Sequence, residues 1–228
     1  MSEHCILYYI TDRSAFPGDE RARRISLLDK ITEAAAQNID YIQLREKDLS
    51  TRDLELLARE AMHIIKKLRT ENPDLRTALL INSRTDVALA TGAAGVHLPA
   101  GDLSPEDVRK AWRGCASSSA LSLSLQNPLV AVSCHSPEEV EAAAEKHATF
   151  AVFAPVFEKQ NAPNTAAQGL DALRQACRAN IPVLALGGVN LQNTESCLRA
   201  GAAGIAAIRL FQENEITTIV NALRGRNI

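Results

Sequence analysis

Between Tyr41 and Ser50 the chain reads YIQLREKDLS, an apolar strand-like run that delivers Arg45, Glu46, Lys47 and Asp48 in succession. Guanidinium and ammonium groups are the side chains that grip phosphate oxygens, Arg as a planar fork and Lys as a point charge. Polar residues follow other apolar runs in the same way: Asn82, Ser83 and Arg84 after ALLIN, Asp102 in PAGDLSP, and Cys134, His135 and Ser136 at the end of LVAVSC. Glu158 and Lys159 follow the next run, Gly187 and Gly188 close PVLALGG, and Arg209 closes GIAAIR. Cations and backbone donors outnumber acids in this set, which suits an anionic substrate. His135 is placed for proton transfer, because imidazole titrates nearest neutral pH. Simpler readings stand beside each: a solvated ion-paired loop for REKD, a tight turn for the glycine pair, a structural hydrogen bond for His135. His97 is read as core or site, and His4, His63 and His147 as surface. Cys134 precedes a helix start that would acidify a thiol, yet a buried small hydrophobe is the preferred reading.

What must position these residues is an alternation of short β-branched runs with longer segments of helical period, the pattern of βα units around a parallel sheet. Strands are predicted at 6–11, 41–44, 78–82, 95–98, 129–134, 150–155, 182–188 and 204–208. Helices are predicted at 22–37, 52–69, 84–91, 104–112, 137–146, 168–179, 191–200 and 214–225. Eight such pairs predict one closed (β/α)8 TIM barrel over residues 1–228, α/β in class, with its chemistry at the C-terminal ends of the strands. LSPEDVRK and HSPEEVEAA carry Ser, Pro and acids in the order that opens a helix. ATGAAGVHL and RAGAAGIAAI repeat one corner, with Gly ending a helix ahead of a strand. Gly187 and Gly188, with the chain after the eighth strand, take the usual phosphate position of such barrels. Residues 114–129 fit either a strand or an extended loop, and 157–169 a mobile loop.

The 25 Lys and Arg residues balance 27 Asp and Glu to a net charge of −2 without a basic stripe, which argues against nucleic acid or an anionic membrane as partner. Five cysteines, at positions 5, 115, 134, 177 and 197, form no ligand spacing and are odd in number, so a reducing cytoplasmic location is expected. No basic start leads into an apolar core, and no run of about 18 apolar residues occurs, so neither a standard export signal nor a membrane span is expected.

YYITDR, IDYIQLREKDLS, LLINSRTDVALATGAAGVHLP, VSCHSPEEVEAAAEKHATFAVFAPVF and IPVLALGGVNLQNTESCLRAGAAGIAAI together resemble the thiamine-phosphate synthases and their relatives, the thiazole tautomerases. The resemblance implies that Gln43, Arg45 and Lys47 match the QLREK motif that binds the pyrophosphate of a pyrimidine substrate. The family's Asn-Asp element, whose carboxylate binds magnesium, reads Asn82-Ser83 here, and its second magnesium carboxylate matches Asp102. A Thr-x-Thr-Lys phosphate loop is replaced by EKQNAP with Lys159, and a Ser-rich final phrase by AAIRLF with Arg209. INSRTDVALA and LPAGDLSPEDVR look closer to the tautomerases, which act on a thiazole phosphate carboxylate without a metal and have a His where His135 stands. The leading expectation is therefore a tautomerase-like isomerase with His135 and Lys47 catalytic, the phosphate on Gly188 and Arg209, the carboxylate on a cation such as Arg45, Gln43, Asn82, Lys159 and Gly187 also on the substrate, and no cofactor. The alternative is a synthase joining hydroxymethylpyrimidine pyrophosphate to thiazole phosphate, with Mg²⁺ on Asp102. A barrel that binds thiamine precursors without turnover is the third reading. The expected partner is a small phosphorylated thiazole or pyrimidine, with a homodimer left open.

Overall fold

The computed structural model describes residues 4–116, 127–158 and 166–225. Eight parallel strands hydrogen-bond in sequence order and the eighth returns to the first, giving a closed barrel. They are β1 Ile6–Ile10, β2 Tyr41–Leu44, β3 Ala78–Asn82, β4 Gly95–Leu98, β5 Leu129–Cys134, β6 Phe150–Phe153, β7 Val183–Ala185 and β8 Gly204–Ala207. The helices are α1 Glu20–Ala36, α2 Thr51–Glu71, α3 Thr85–Thr91, α4 Pro105–Ala116, α5 Pro137–Glu145, α6 Gly169–Ala176, α7 Thr194–Arg199, α8 Arg209–Gln212 and α9 Ile216–Arg224, with a 3-10 turn at Arg13–Ala15.

Side chains alternate across each strand, so one set fills the barrel and the other meets the helices. Tyr8, Ile10, Leu80, Ala131, Phe150, Val152, Leu184 and Ala206 form the inner cluster. Near the N-terminal strand ends, Tyr41 stacks on Phe150 at 4.8 Å and Tyr8 meets Phe150 edge-on at 5.4 Å, plugging the lower barrel. Leu7, Tyr9, Ile42, Leu79, Ile81 and Val96 point the other way, onto the buried faces of α1 to α4.

The repeated corners have a steric cause. A Cβ on Gly95 would lie 1.8 Å from the Leu129 carbonyl oxygen, and one on Gly204 would lie 2.0 Å from that of Ile6. At both positions the neighbouring strand begins against a bare Cα, which is why the same phrase serves β4 and β8. The fit of the Ser caps is equally direct: Ser50 Oγ accepts from Asp53 N and Ser136 Oγ from Glu139 N, closing the first turns of α2 and α5.

Several boundaries differ from the sequence expectation. β7 stops at Ala185 because Gly187 and Gly188 adopt φ of +93° and +65°, outside the β region. β6 stops at Phe153, two residues before Pro155, which has no N–H to donate. α7 begins at Thr194, because Asn190 and Asn193 fold the preceding residues into a turn, Asn193 Oδ1 accepting from Asn190 N. The expected final helix at 214–225 is α9, and a four-residue turn, α8, precedes it without a side-chain cap to announce it. The open choice for 114–129 lies partly outside the described residues, as does most of the 157–169 loop.

Candidate active site

At the C-terminal rim the four charges of REKD separate by role. Glu46 is buried, and its Oε1 accepts from Thr11 Oγ1 at 2.5 Å while Oε2 accepts from Arg13 N at 3.0 Å and Arg13 Nη1 at 3.2 Å. The same guanidinium forks onto Asp48, at 2.7 and 2.8 Å, and its Nε reaches Glu20 on α1 at 2.7 Å. Thr11 Oγ1 also accepts from Arg45 N at 3.0 Å. The ends of β1 and β2 are thus riveted together through the buried Arg13. Burial pushes the Glu46 carboxyl above its usual range against the pull of Thr11 and Arg13, while Arg13 holds Asp48 below its own. Arg45 and Lys47, which alternate with these acids in sequence, have no hydrogen-bond or ion-pair partner for their side chains among the described residues. The ion-paired loop of the simpler reading is present on Glu46 and Asp48, and Arg45 and Lys47 take no part in it.

Beneath the rim, Gln43 Nε2 donates to Tyr8 Oη at 3.1 Å, Tyr8 Oη meets His97 Nδ1 at 3.1 Å, and His97 Nε2 meets Ser133 Oγ at 2.7 Å. The chain crosses β2, β1, β4 and β5. Tyr8 is fully buried and its oxygen accepts from Gln43, so its O–H is satisfied by donating to His97 Nδ1; His97 Nε2–H then donates to Ser133 Oγ, on a residue that is only half-buried. Burial, with the Arg45 charge in support, pushes the imidazole down to about 3, so it is neutral as this arrangement requires. Arg45 lies two residues beyond the inward Gln43, and its charge reaches His97. Gln43 itself is 1% exposed and belongs to this floor rather than to the open rim.

His135 leaves β5 exposed, with Nδ1 2.7 Å from the Ala154 carbonyl. A carbonyl only accepts, so Nδ1 carries the proton and Nε2 of the neutral ring is a base. Its backbone N–H is taken by Glu139 at 2.6 Å. Cys134 is fully buried and its thiol is pushed up to about 12, chiefly by burial, as befits a small hydrophobe. His4, His63 and His147 are exposed, as expected.

The glycine pair is fixed by packing. A Cβ on Gly187 would stand 2.7 Å from Pro155 Cα, and one on Gly188 2.7 Å from the Glu158 carbonyl oxygen. Phe157 N donates to Gly187 O at 3.0 Å, and Asn193 Nδ2 to Gly188 O at 2.9 Å, so the β6 and β7 ends close on each other. Among the described residues the N–H groups of Gly188 and Val189 enter no hydrogen bond. Arg209 opens α8 and is exposed, without an ion-pair partner among the described residues. Lys159 lies outside the described residues.

Asn82 donates to Ser83 Oγ at 3.1 Å, and Ser83 holds φ of +60° while its N–H caps His97 O at 2.9 Å. Arg84 next to it is occupied by Asp86 and by Thr51 Oγ1 at 2.8 Å. Asp102 is exposed and spends Oδ1 on Leu103 N at 2.8 Å. Among the described residues no three His, Cys, Asp or Glu side chains gather as a metal-binding group. With a serine where the first carboxylate was expected, the donor set here does not fit a magnesium centre built on paired carboxylates.

Sequence reasoning did not single out Tyr8, Thr11, Arg13 or Ser133. The signals were present: period-two alternation puts Tyr8 beneath Ile10 and Ser133 on the face of His135, and Arg13 follows the first strand as Arg45 follows the second.

Fold and site define a (β/α)8 barrel with a cation-bearing rim above a buried polar floor. The comparisons make that class specific. A profile described as thiamine monophosphate synthase matches residues 7–211, and the chain belongs to that enzyme family. It is 34% identical over 210 residues to a putative thiamine-phosphate synthase 2 of Aquifex aeolicus, covering 91% of this chain and 97% of that one. It is 37% identical to a putative thiamine-phosphate synthase of Geobacter sulfurreducens, covering 89% and 84%. Among solved structures, a thiamine phosphate pyrophosphorylase from Pyrococcus furiosus superposes with a TM-score of 0.74 at 26% identity, covering 96% and 93%. These relatives carry the name of the synthase rather than of the isomerase that led the sequence expectation. No helix among the described residues is long and apolar enough to cross a membrane.

Proposed function

We propose that this protein is a transferase of the thiamine-phosphate synthase type, joining a pyrimidine pyrophosphate to a thiazole phosphate. The observation that carries this reading is the pair Arg45 and Lys47, left without partners at the rim while their acidic neighbours are neutralised by Arg13. In the reaction the methylene C–O bond of the pyrimidine breaks with both electrons passing to pyrophosphate, and the thiazole nitrogen lone pair forms the new C–N bond. Negative charge develops on the departing oxygen, where a fixed guanidinium and ammonium stabilise it without having to reorganise. The buried Gln43–Tyr8–His97–Ser133 chain offers a polar floor on which a heteroaromatic ring can be oriented. The open N–H groups of Gly188 and Val189, with Arg209, supply a second anion seat suited to the thiazole phosphate.

The test is to incubate the protein with both precursors, with and without magnesium, and follow thiamine phosphate and pyrophosphate. Formation of both is expected, with Arg45→Ala or Lys47→Ala slowing it by about 10²–10³-fold. No product under either condition sinks the reading. A second reading, the tautomerase-like isomerase, is favoured by one observation: His135 holds a basic Nε2 by giving Nδ1–H to Ala154. Conversion of a thiazole phosphate carboxylate tautomer by the wild type but not by His135→Ala, without pyrophosphate release, would put it first. Binding of either precursor with no turnover in both assays would leave a binding protein.

A further inference from the structure

At this rim most carboxylates are engaged, while Arg45, Lys47 and Arg209 have no ion-pair partner among the described residues. Asp12 is spent on Ser14, Glu46 and Asp48 on Arg13, Asp86 on Arg84, and Glu139 on the backbone of His135. Of the acids near the strand ends, Asp12, Asp102, Glu139 and Glu158 have no ion-pair partner among the described residues; Asp12 and Glu139 are spent on local hydrogen bonds, and Asp102 and Glu158 stand on loops two strands apart, after β4 and β6. Magnesium is held through one or two carboxylates together with substrate phosphates, at near-ideal octahedral geometry. Here the position beside Asn82 where a carboxylate was expected is Ser83, whose hydroxyl already accepts from Asn82.

We infer that this chain grips a pyrophosphate-type anion directly with Arg45 and Lys47, with no requirement for a divalent cation, and that Arg13 is the positioning residue that makes this work. By drawing Glu46 and Asp48 onto itself, Arg13 removes two negative charges from either side of Lys47. It also fixes the turn from which both cations project, since the Glu46 carboxylate and the Arg45 N–H share Thr11. The inference rests on the transferase reading only for the identity of the anion.

The experiment is calorimetry of the intact protein with inorganic pyrophosphate, once in chelator and once in excess magnesium. Binding is expected in chelator, with magnesium tightening it by less than about three-fold and with Lys47→Ala or Arg45→Ala weakening it about ten-fold each. Arg13→Lys is expected to keep most of the affinity, because it restores the charge at the clamp. Arg13→Gln is expected to weaken binding in chelator while leaving the circular dichroism of the barrel in place. Should Arg13→Gln fail to fold, the exposed Lys47 still decides the matter. Heat seen only with magnesium, no heat in either solution, or a Lys47→Ala protein that binds like the wild type would each overturn the inference. The two readings fail separately. Pyrophosphate bound in chelator without thiamine phosphate formation removes the transferase reading alone, whereas product formed only with magnesium, and no binding in chelator, removes this inference alone.

Discussion

Replacing His97 by Gln should change how the stability of the barrel depends on pH while keeping its hydrogen bonds. The ring is 3% exposed, between Tyr8 and Ser133, and burial and the Arg45 charge bring its pKa down to about 3 from the usual 6.5. Between those values the unfolded chain binds a proton that the folded one refuses, so stability from this group is whole above pH 6.5 and falls as the pH drops. The slope is about 1.4 kcal/mol per pH unit, which amounts to roughly 2 kcal/mol at pH 5. Against a total of about 5–15 kcal/mol for a folded protein, that is readily measured. A Gln side chain can accept from Tyr8 and donate to Ser133 but has nothing to titrate. Urea unfolding of both proteins at pH 7 and pH 5 should therefore show the wild type losing about 2 kcal/mol more than His97→Gln. Equal losses in the two proteins would mean that the imidazole is not held neutral, and the proton order assigned to the Gln43–Tyr8–His97–Ser133 chain would fall with it.

Other outcomes follow from the same contacts. Arg13→Ala should cost about 3–5 kcal/mol in chemical unfolding, because Glu46 is left buried and uncompensated; a loss below about 1 kcal/mol would show the pair to be merely decorative. Gly188→Ala should lower Tm by roughly 2–8 °C, from its positive φ and the Glu158 carbonyl in the path of the new Cβ. A thiol reagent added at pH 8 should label the exposed Cys115 in the native protein and leave Cys134 untouched until urea is added; early labelling of Cys134 would contradict its burial.

The barrel was legible because each strand is a short apolar run between turn residues, and β2 to β5 were bounded correctly at both ends. Where the expectation overran, in β6 and β7, apolar residues continue past the last ladder bond, and what ends the strand is backbone geometry at Pro155 and Gly187 rather than polarity. The rim was legible as a set of strand ends. The division of labour within REKD was not, because the partner that decides it, Arg13, lies more than thirty residues away and is indistinguishable in sequence from any other arginine after a strand. Likewise His97 was legible only as core or site, and its neutral state depends on Tyr8 and Ser133 across the barrel, a relation that only closure creates.

The clamp also has a place in time. Its hydrogen bonds join residues 33 to 35 apart in the chain, whereas those that seal the barrel, Tyr9 and Asp12 to Gln212, join residues 200 or more apart. Loop-closure entropy disfavours the longer contacts by about 1.6 kcal/mol relative to the clamp. The clamp between the first two strands is therefore the less costly to close, and its contacts can form before those that seal the barrel.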